Sequence, residues 1–417
     1  DENEKIKLRK IINDGWKGVY HYLGLNKERP LSDDFFLNNH CIIYFGHEIF
    51  STEADSEKTR RHNYFLKENL ENFLLETKFT LKNILDDDSA SNKLTISSVK
   101  EYVESLQASV ELWFNLFNPT LAKDLPDEAI FLLDRLYRIG LRHFSTLLLA
   151  VYLKKPKTEI MIKFLEKIEK YAFLSMLTSW RYYIEYGDFS LVSIKIHKGE
   201  LSINDIIKQL DDKINEIIKK PDFVDKVVDK FKSEGFYQWN GIRYFLFEYE
   251  TSLRDKTKTK KNKINWQEYA TEQEDFITVE HIYPQTAKHD CWKNSFNQYG
   301  IKERRILTNS LGNLLPLSKP KNSSLQNKCF LDKIDNGENQ VGFRFGSYSE
   351  NEISGLKEWT PDSILERGLK LLKFMESRWG LDFTNDEKRK ELLNLTFIKT
   401  IIPNNNLNQA KIRKKRN

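Results

Sequence analysis

An acid beside a histidine with a proline three residues later is a pattern that chemistry uses more readily than packing does. It occurs in Thr278-Val279-Glu280-His281-Ile282-Tyr283-Pro284-Gln285. Downstream, Gly312-Asn313-Leu314-Leu315-Pro316-Leu317-Ser318-Lys319-Pro320-Lys321-Asn322 adds two asparagines at fixed spacing. Cutting a phosphodiester at neutral pH needs a water nucleophile, a base to take its proton and a cation to stabilise charge on the phosphoryl oxygens. A histidine with an ordinary pKa near 6.5 is mostly neutral at pH 7 and suits the base. A carboxylate and an amide carbonyl are hard oxygen donors suited to Mg²⁺. Taken alone, His281 between Val279 and Ile282 reads as a packed core residue; the set of residues carries the chemistry.

These residues need a scaffold. Residues 276–283 have strand character, ended by Pro284. Neighbouring strand residues point to opposite faces, but a bend before Pro284 can bring Glu280 and His281 to one cleft. Ser310-Leu311-Gly312 enters a second strand, Asn313 to Leu317, and Lys319-Pro320 leads into a polar helix, Asn322 to Ile334. The expected order is strand, long loop, strand, helix.

Before this unit the chain reads as helix after helix. Ser98-Val99-Lys100-Glu101 has capping-box spacing and opens a face of Tyr102, Val103, Leu106, Val110 and Trp113 that stops near Asn118-Pro119. Ala129 to Leu153 and Thr158 to Tyr183 follow as an expected antiparallel pair, and Ser202 caps a helix that Pro221 ends. No fixed period recurs, so the expectation is an irregular array rather than a solenoid. His40 and His47, beside large apolar residues, read as structural. Thr360-Pro361-Asp362 starts a C-terminal helix and Asp386 to Leu395 another.

With 417 residues, 40% hydrophobic and 30% charged, the chain has room for more than one folded unit. No apolar run reaches the roughly 18–20 residues of a membrane span. Cys41, Cys291 and Cys329 form no Cys-x-x-Cys pair, so neither a disulfide framework nor a zinc ribbon is implied and a cytoplasmic setting is expected. The chain opens on Asp1-Glu2-Asn3-Glu4 without a charged-then-apolar leader, and a fragment of a longer protein is expected. Net charge is +5, yet residues 251–265 hold six cations against one acid and the tail from Asn408 holds five cations and no acid. The rest of the chain is therefore acidic overall. Two readings stand for the basic tracts: solvated segments, or a footprint for a polyanion.

Glu280-His281-Ile282-x-Pro284-Gln285, then Asn313, then Asn322 nine residues on, resembles the HNH or His-Me finger motif of ββα-metal nucleases. The resemblance implies that Glu280 and Asn322 hold one Mg²⁺ (or Mn²⁺), that His281 activates water and that Asn313 orients it. Together with Asp34-x-Phe36-Leu37-x-Asn39-His40, Leu311-Gly312-Asn313-Leu314 and Trp359-Thr360-x-x-x-Ile364-x-x-Arg367, the chain is similar to the C-terminal part of GmrSD-type restriction proteins, SspE-type relatives included. That resemblance implies a DNA endonuclease of a bacterial antiviral restriction system, acting on modified or foreign double-stranded DNA. It also implies a partner, an N-terminal ParB-like nucleotide-hydrolysing domain, whose Asp-Gly-Gln-Gln-Arg-type signature this sequence lacks.

The fold class expected is mainly α, an irregular helical array followed by a small α+β HNH (ββα-metal) domain and C-terminal helices. The limits are 1–235 for the array, 236–350 for the nuclease domain, 351–400 for helices packing back and 401–417 for a basic tail. Lys319, Lys321 and Lys328 beside the metal helix, and Lys256, Lys258, Lys260 and Lys261 in the basic tract, are the candidate phosphate contacts. The alternative is a DNA-binding or partner-docking module whose HNH motif is inactive.

Overall fold

The computed structural model describes residues 2–49, 73–85, 93–178, 186–258, 261–264, 266, 278–335, 337 and 341–399. Phe276, Ile277, Lys260, the tail 401–417, and the side chains of His47 and Lys319 lie outside the described residues. Among the described residues the protein is mainly helical with one small two-stranded antiparallel sheet. It divides into two compact units, Asp1–Lys219 and Lys220–Asn417.

The first unit contains helices α1 (Glu2–Leu23), α2 (Asp33–Ile49), α3 (Ile96–Phe117), α4 (Asp127–Ile139), α5 (Ser145–Leu153), α6 (Thr158–Thr178), α7 (Tyr186–Lys198) and α8 (Ile203–Ile218). The expected apolar face of α3 is buried, and Asn118 ends the helix. Its N-cap, however, is Thr95; Ser98 is the third helical residue and closes the capping box from inside. The helix expected from Ala129 to Leu153 is two, because Gly140 turns left-handed at φ 114° and a 3₁₀ turn intervenes before α5. His40 is buried, its Nε2 lies 3.0 Å from Ser105 Oγ, and burial holds its pKa down at about 3. It is a core residue.

The second unit begins with α9 (Phe223–Glu234) and α10 (Ile242–Asp255). Helix α9 falls in this second unit. Pro221 separates α8 from α9, and charge pairs then fix α9 to α17 (Asp386–Leu392): Lys388 Nζ reaches Asp225 at 2.8 Å, and Lys232 Nζ reaches Glu391 at 2.9 Å. The C-terminal helices α16 (Pro361–Trp379) and α17 are part of the same unit. Thr360 caps α16, with Pro361 in its first turn.

Between α10 and α16 lie β1 (Thr278–His281), α11 (Asp290–Phe296), α12 (Ile301–Asn309), β2 (Leu314–Leu317), α13 (Lys319–Leu325), α14 (Phe330–Ile334) and α15 (Tyr348–Ile353). The strand, long loop, strand, helix order is present, with two differences. The long loop folds into α11 and α12, and Trp292 and Phe296 of α11 are buried against Tyr283. The single helix expected from Asn322 to Ile334 is two short ones, broken at Gln326, whose φ is 38°.

Cys291 and Cys329 are joined by a disulfide, against the expectation from their spacing. The folded loop brings α11 to the N-cap of α14, which a spacing rule cannot register. Closing a 38-residue separation restricts the unfolded chain. Changing both cysteines to serine is therefore expected to lower the stability of the second unit by about 3 kcal/mol, read from the urea midpoint without reductant. An unchanged midpoint would contradict this.

Candidate active site

β1 and β2 pair antiparallel with Glu280 opposite Leu315 and His281 opposite Leu314. The pairing continues past the strand ends, where the Ile282 N–H donates to Asn313 O at 3.0 Å. Asn313 is fully buried, and its side chain satisfies its whole hydrogen-bonding capacity. Oδ1 accepts from Tyr283 N at 2.7 Å and Trp359 Nε1 at 3.0 Å, while Nδ2 donates to Tyr283 O at 2.9 Å and Thr308 O at 2.8 Å. Asn313 thus fixes the main chain two residues beyond His281.

Helix α16 backs this arrangement. Arg367 is buried and donates from Nη1 to Gly312 O at 2.7 Å and Leu314 O at 2.8 Å, bracketing Asn313. Gly312 lies so close to α16 that an added Cβ would meet Ile364 O at 1.9 Å. The Trp359, Ile364 and Arg367 pattern in the sequence has this physical content: it holds the Gly312–Leu314 turn against β1.

His281 is 7% exposed, and its Nε2 is buried without a hydrogen-bond partner. An orphaned ring nitrogen in a native interior is uncommon and calls for an explanation. Tyr237 packs on the imidazole, with ring centroids 4.3 Å apart. Burial pushes the His281 pKa down to about 4; the Asn309 side chain, as a hydrogen-bond partner, opposes the shift and the Lys333 charge adds to it. The ring is therefore neutral at pH 7. Asn309 and Tyr237 had no signal in the sequence that would single them out.

The folded-state pKa lies below the ordinary 6.5, so the unfolded chain binds a proton more readily. Stability from this group is complete above pH 6.5 and is lost as pH falls toward 4. The stability of the wild type relative to His281→Gln is expected to fall by about 3 kcal/mol between pH 7 and pH 4, measured by urea unfolding. A pH-independent difference would refute the buried neutral imidazole.

Glu280 is 5% exposed, and its Oε1 meets Lys333 Nζ at 2.6 Å. The Lys333 side chain has no exposure and also donates to His281 O at 3.1 Å and Ile282 O at 3.2 Å. Burial raises the Glu280 pKa, while the Lys333 ammonium and the His281 N–H work to keep the carboxylate ionised. Asn322 lies in the middle of α13, which packs against β1, rather than at a helix start. The residue is half-buried. Among the described residues no group of three or more His, Cys, Asp or Glu side chains is placed to hold a metal.

The candidate phosphate contacts separate into kinds. Lys321 is mostly buried and paired with Glu350. Lys328 is half-buried, whereas Lys256, Lys258 and Lys261 are exposed. Among the described residues no helix is long and apolar enough to cross a membrane.

The second unit thus holds a β-β-α arrangement with a neutral histidine, its Nε2 unpaired, at the end of the first strand, held from behind by a C-terminal helix. Residues 223–374 match the family model of the GmrSD restriction endonucleases, C-terminal domain. No curated protein matches the chain. Residues 223–374 are a GmrSD restriction endonuclease C-terminal domain, a family that implies a nuclease of a restriction system with DNA as substrate. Both the β-hairpin and the Trp359 to Arg367 clamp fall within the matched residues.

Proposed function

We propose that the protein is an HNH-type DNA endonuclease of an antiviral restriction system, acting on modified or foreign double-stranded DNA. The observation that carries this reading is the unpaired Nε2 of a neutral His281 within a restriction-endonuclease domain. In the proposed step Nε2 takes a proton from water, the water oxygen bonds to phosphorus, and one ester oxygen departs and is protonated from solvent. Tyr237 and Asn309 hold the ring, and Asn313 holds the chain that follows it.

A divalent cation, Mg²⁺ or Mn²⁺, belongs to the same reading, with Glu280 and Asn322 as the implied oxygen donors. When bound, it would stabilise charge on the phosphoryl oxygens. The arrangement fits poorly at Glu280, whose carboxylate already holds the Lys333 ammonium.

Exposed Lys256, Lys258 and Lys261 support a backbone contact that reads charge rather than sequence. Changing all three to Gln is expected to reduce the slope of log K against log salt by about 3. An unaltered slope would remove the tract from the interface. An N-terminal ParB-like nucleotide-hydrolysing domain is the proposed partner.

The test is incubation of supercoiled plasmid with the chain and Mg²⁺ or Mn²⁺, with an EDTA control and matched modified and unmodified DNA. Metal-dependent nicking that favours the modified DNA is expected. Binding without nicking would favour a docking module with a silent motif, a reading to which the Glu280–Lys333 pair lends some support.

A further inference from the structure

Lys333 lies 53 residues beyond Glu280, on a helix of five residues. An ammonium has three donors and no acceptor, and Lys333 directs its donors at three acceptors, one carboxylate and two main-chain carbonyls. These belong to Glu280, His281 and Ile282, the segment that presents the proposed base. The helix that carries Lys333 is itself anchored. Phe330 packs on Trp359 at 5.5 Å between ring centroids, Trp359 donates to Asn313, and Cys329 at the N-cap is bonded to Cys291. Helix α14 therefore reaches both the carbonyls after His281 and the asparagine that aligns them.

A divalent ion coordinated by Glu280 would sit about 2.1 Å from a carboxylate oxygen. Lys333 Nζ already occupies the partner position of Oε1 at 2.6 Å, and the Lys333 side chain is wholly buried with no solvent into which the ammonium could retreat. Two cations on one buried carboxylate repel each other strongly where water is excluded.

We propose that Glu280 serves Lys333 rather than a metal ion, and that Lys333 is a positioning residue: it clamps the end of β1 so that the His281 ring is presented in one orientation. This rests on the nuclease reading of His281 and reassigns Glu280 within it. A buried ion pair that loses one member leaves an uncompensated charge, whereas replacing both members by apolar groups is often tolerated. That asymmetry supplies the test.

The full chain is prepared as wild type, Glu280→Gln, Lys333→Met and the double variant Glu280→Met/Lys333→Met, and thermal melts establish which are folded. Mn²⁺ affinity is measured by electron paramagnetic resonance, amide hydrogen exchange is followed at residues 280–283, and kcat and KM are measured for plasmid nicking. Lys333→Met is expected to speed exchange at 280–283 and to lower kcat about 100-fold with little change in KM, as a displaced base would. The double variant is expected to recover protection and at least tenfold of the lost kcat, and Glu280→Gln to bind Mn²⁺ within about twofold of wild type. Mn²⁺ affinity at least tenfold weaker in Glu280→Gln, or exchange unchanged in Lys333→Met, would overturn the proposal. A wild type that nicks no DNA would instead overturn the nuclease reading, while exchange and Mn²⁺ binding still decide the role of Lys333.

Discussion

Replacing Gly312 by Ala is expected to destabilise the second unit by about 3 kcal/mol and to cost most of the nicking activity. An added Cβ would come within 1.9 Å of Ile364 O and 2.8 Å of Gly368 N, both backbone atoms of α16. Flexible side chains can rotate away from such an intrusion; a helix backbone has to move as a body. Any such movement withdraws Arg367 from Gly312 O and Leu314 O and Trp359 Nε1 from Asn313. Gly355 is the matched control, since nothing lies within 4 Å of its added Cβ, and Gly355→Ala is expected to leave both properties unchanged. Urea midpoints and nicking rates of the two variants make the comparison. Equal stability for both would mean that the close approach of α16 to the hairpin is not a constraint.

His281→Ala is expected to reduce nicking by about 100- to 10,000-fold, the range for loss of a general base. The far-ultraviolet circular dichroism should remain that of the wild type, because β1 and β2 are paired through their main chains and not through the ring. Asn313→Ala is a contrasting change. It deletes four hydrogen bonds and leaves the Tyr283 N–H and Thr308 O without their partner, so it should lower stability as well as rate. Separating the two effects distinguishes the residue that acts on water from the one that holds the chain. Wild-type nicking by His281→Ala would remove the histidine from the chemistry.

Local signals in the sequence carried the helices well. Ser202 and Thr360 are the caps that their spacing indicates, and the apolar face from Tyr102 to Trp113 is buried as its periodicity requires. The order strand, loop, strand, helix was also legible, because Pro284 and the Gly312-Asn313 turn punctuate short apolar runs that fit strands. Gly140 was harder to read: an isolated glycine in an apolar helical pattern is often tolerated, and only the left-handed conformation at that position breaks the helix.

The long-range pairs were not legible. Lys333 lies within the stretch expected to be a polar helix, and nothing in its neighbourhood announces a partner 53 residues earlier. Lys321 was read as a phosphate contact, but it pairs with the buried Glu350. A local charge pattern cannot separate a solvent-facing lysine from one that folding turns inward. The disulfide has the same character, since Cys291 and Cys329 approach only after the loop between the strands has folded into α11 and α12. The Trp359 to Arg367 pattern was visible as a resemblance, whereas its task of clamping the turn around Asn313 is visible only in the folded chain.

In the proposed reaction a buried, neutral His281 removes the proton from water. The most direct measurement is the rate of plasmid nicking by wild type and His281→Ala between pH 4 and pH 8 in Mn²⁺. A wild-type rate that is flat across neutral pH and declines only on approach to the depressed His281 pKa of about 4 is expected, with the variant slower throughout. A variant as fast as wild type, or an acid limb at the ordinary histidine value that persists after His281 is removed, would contradict it.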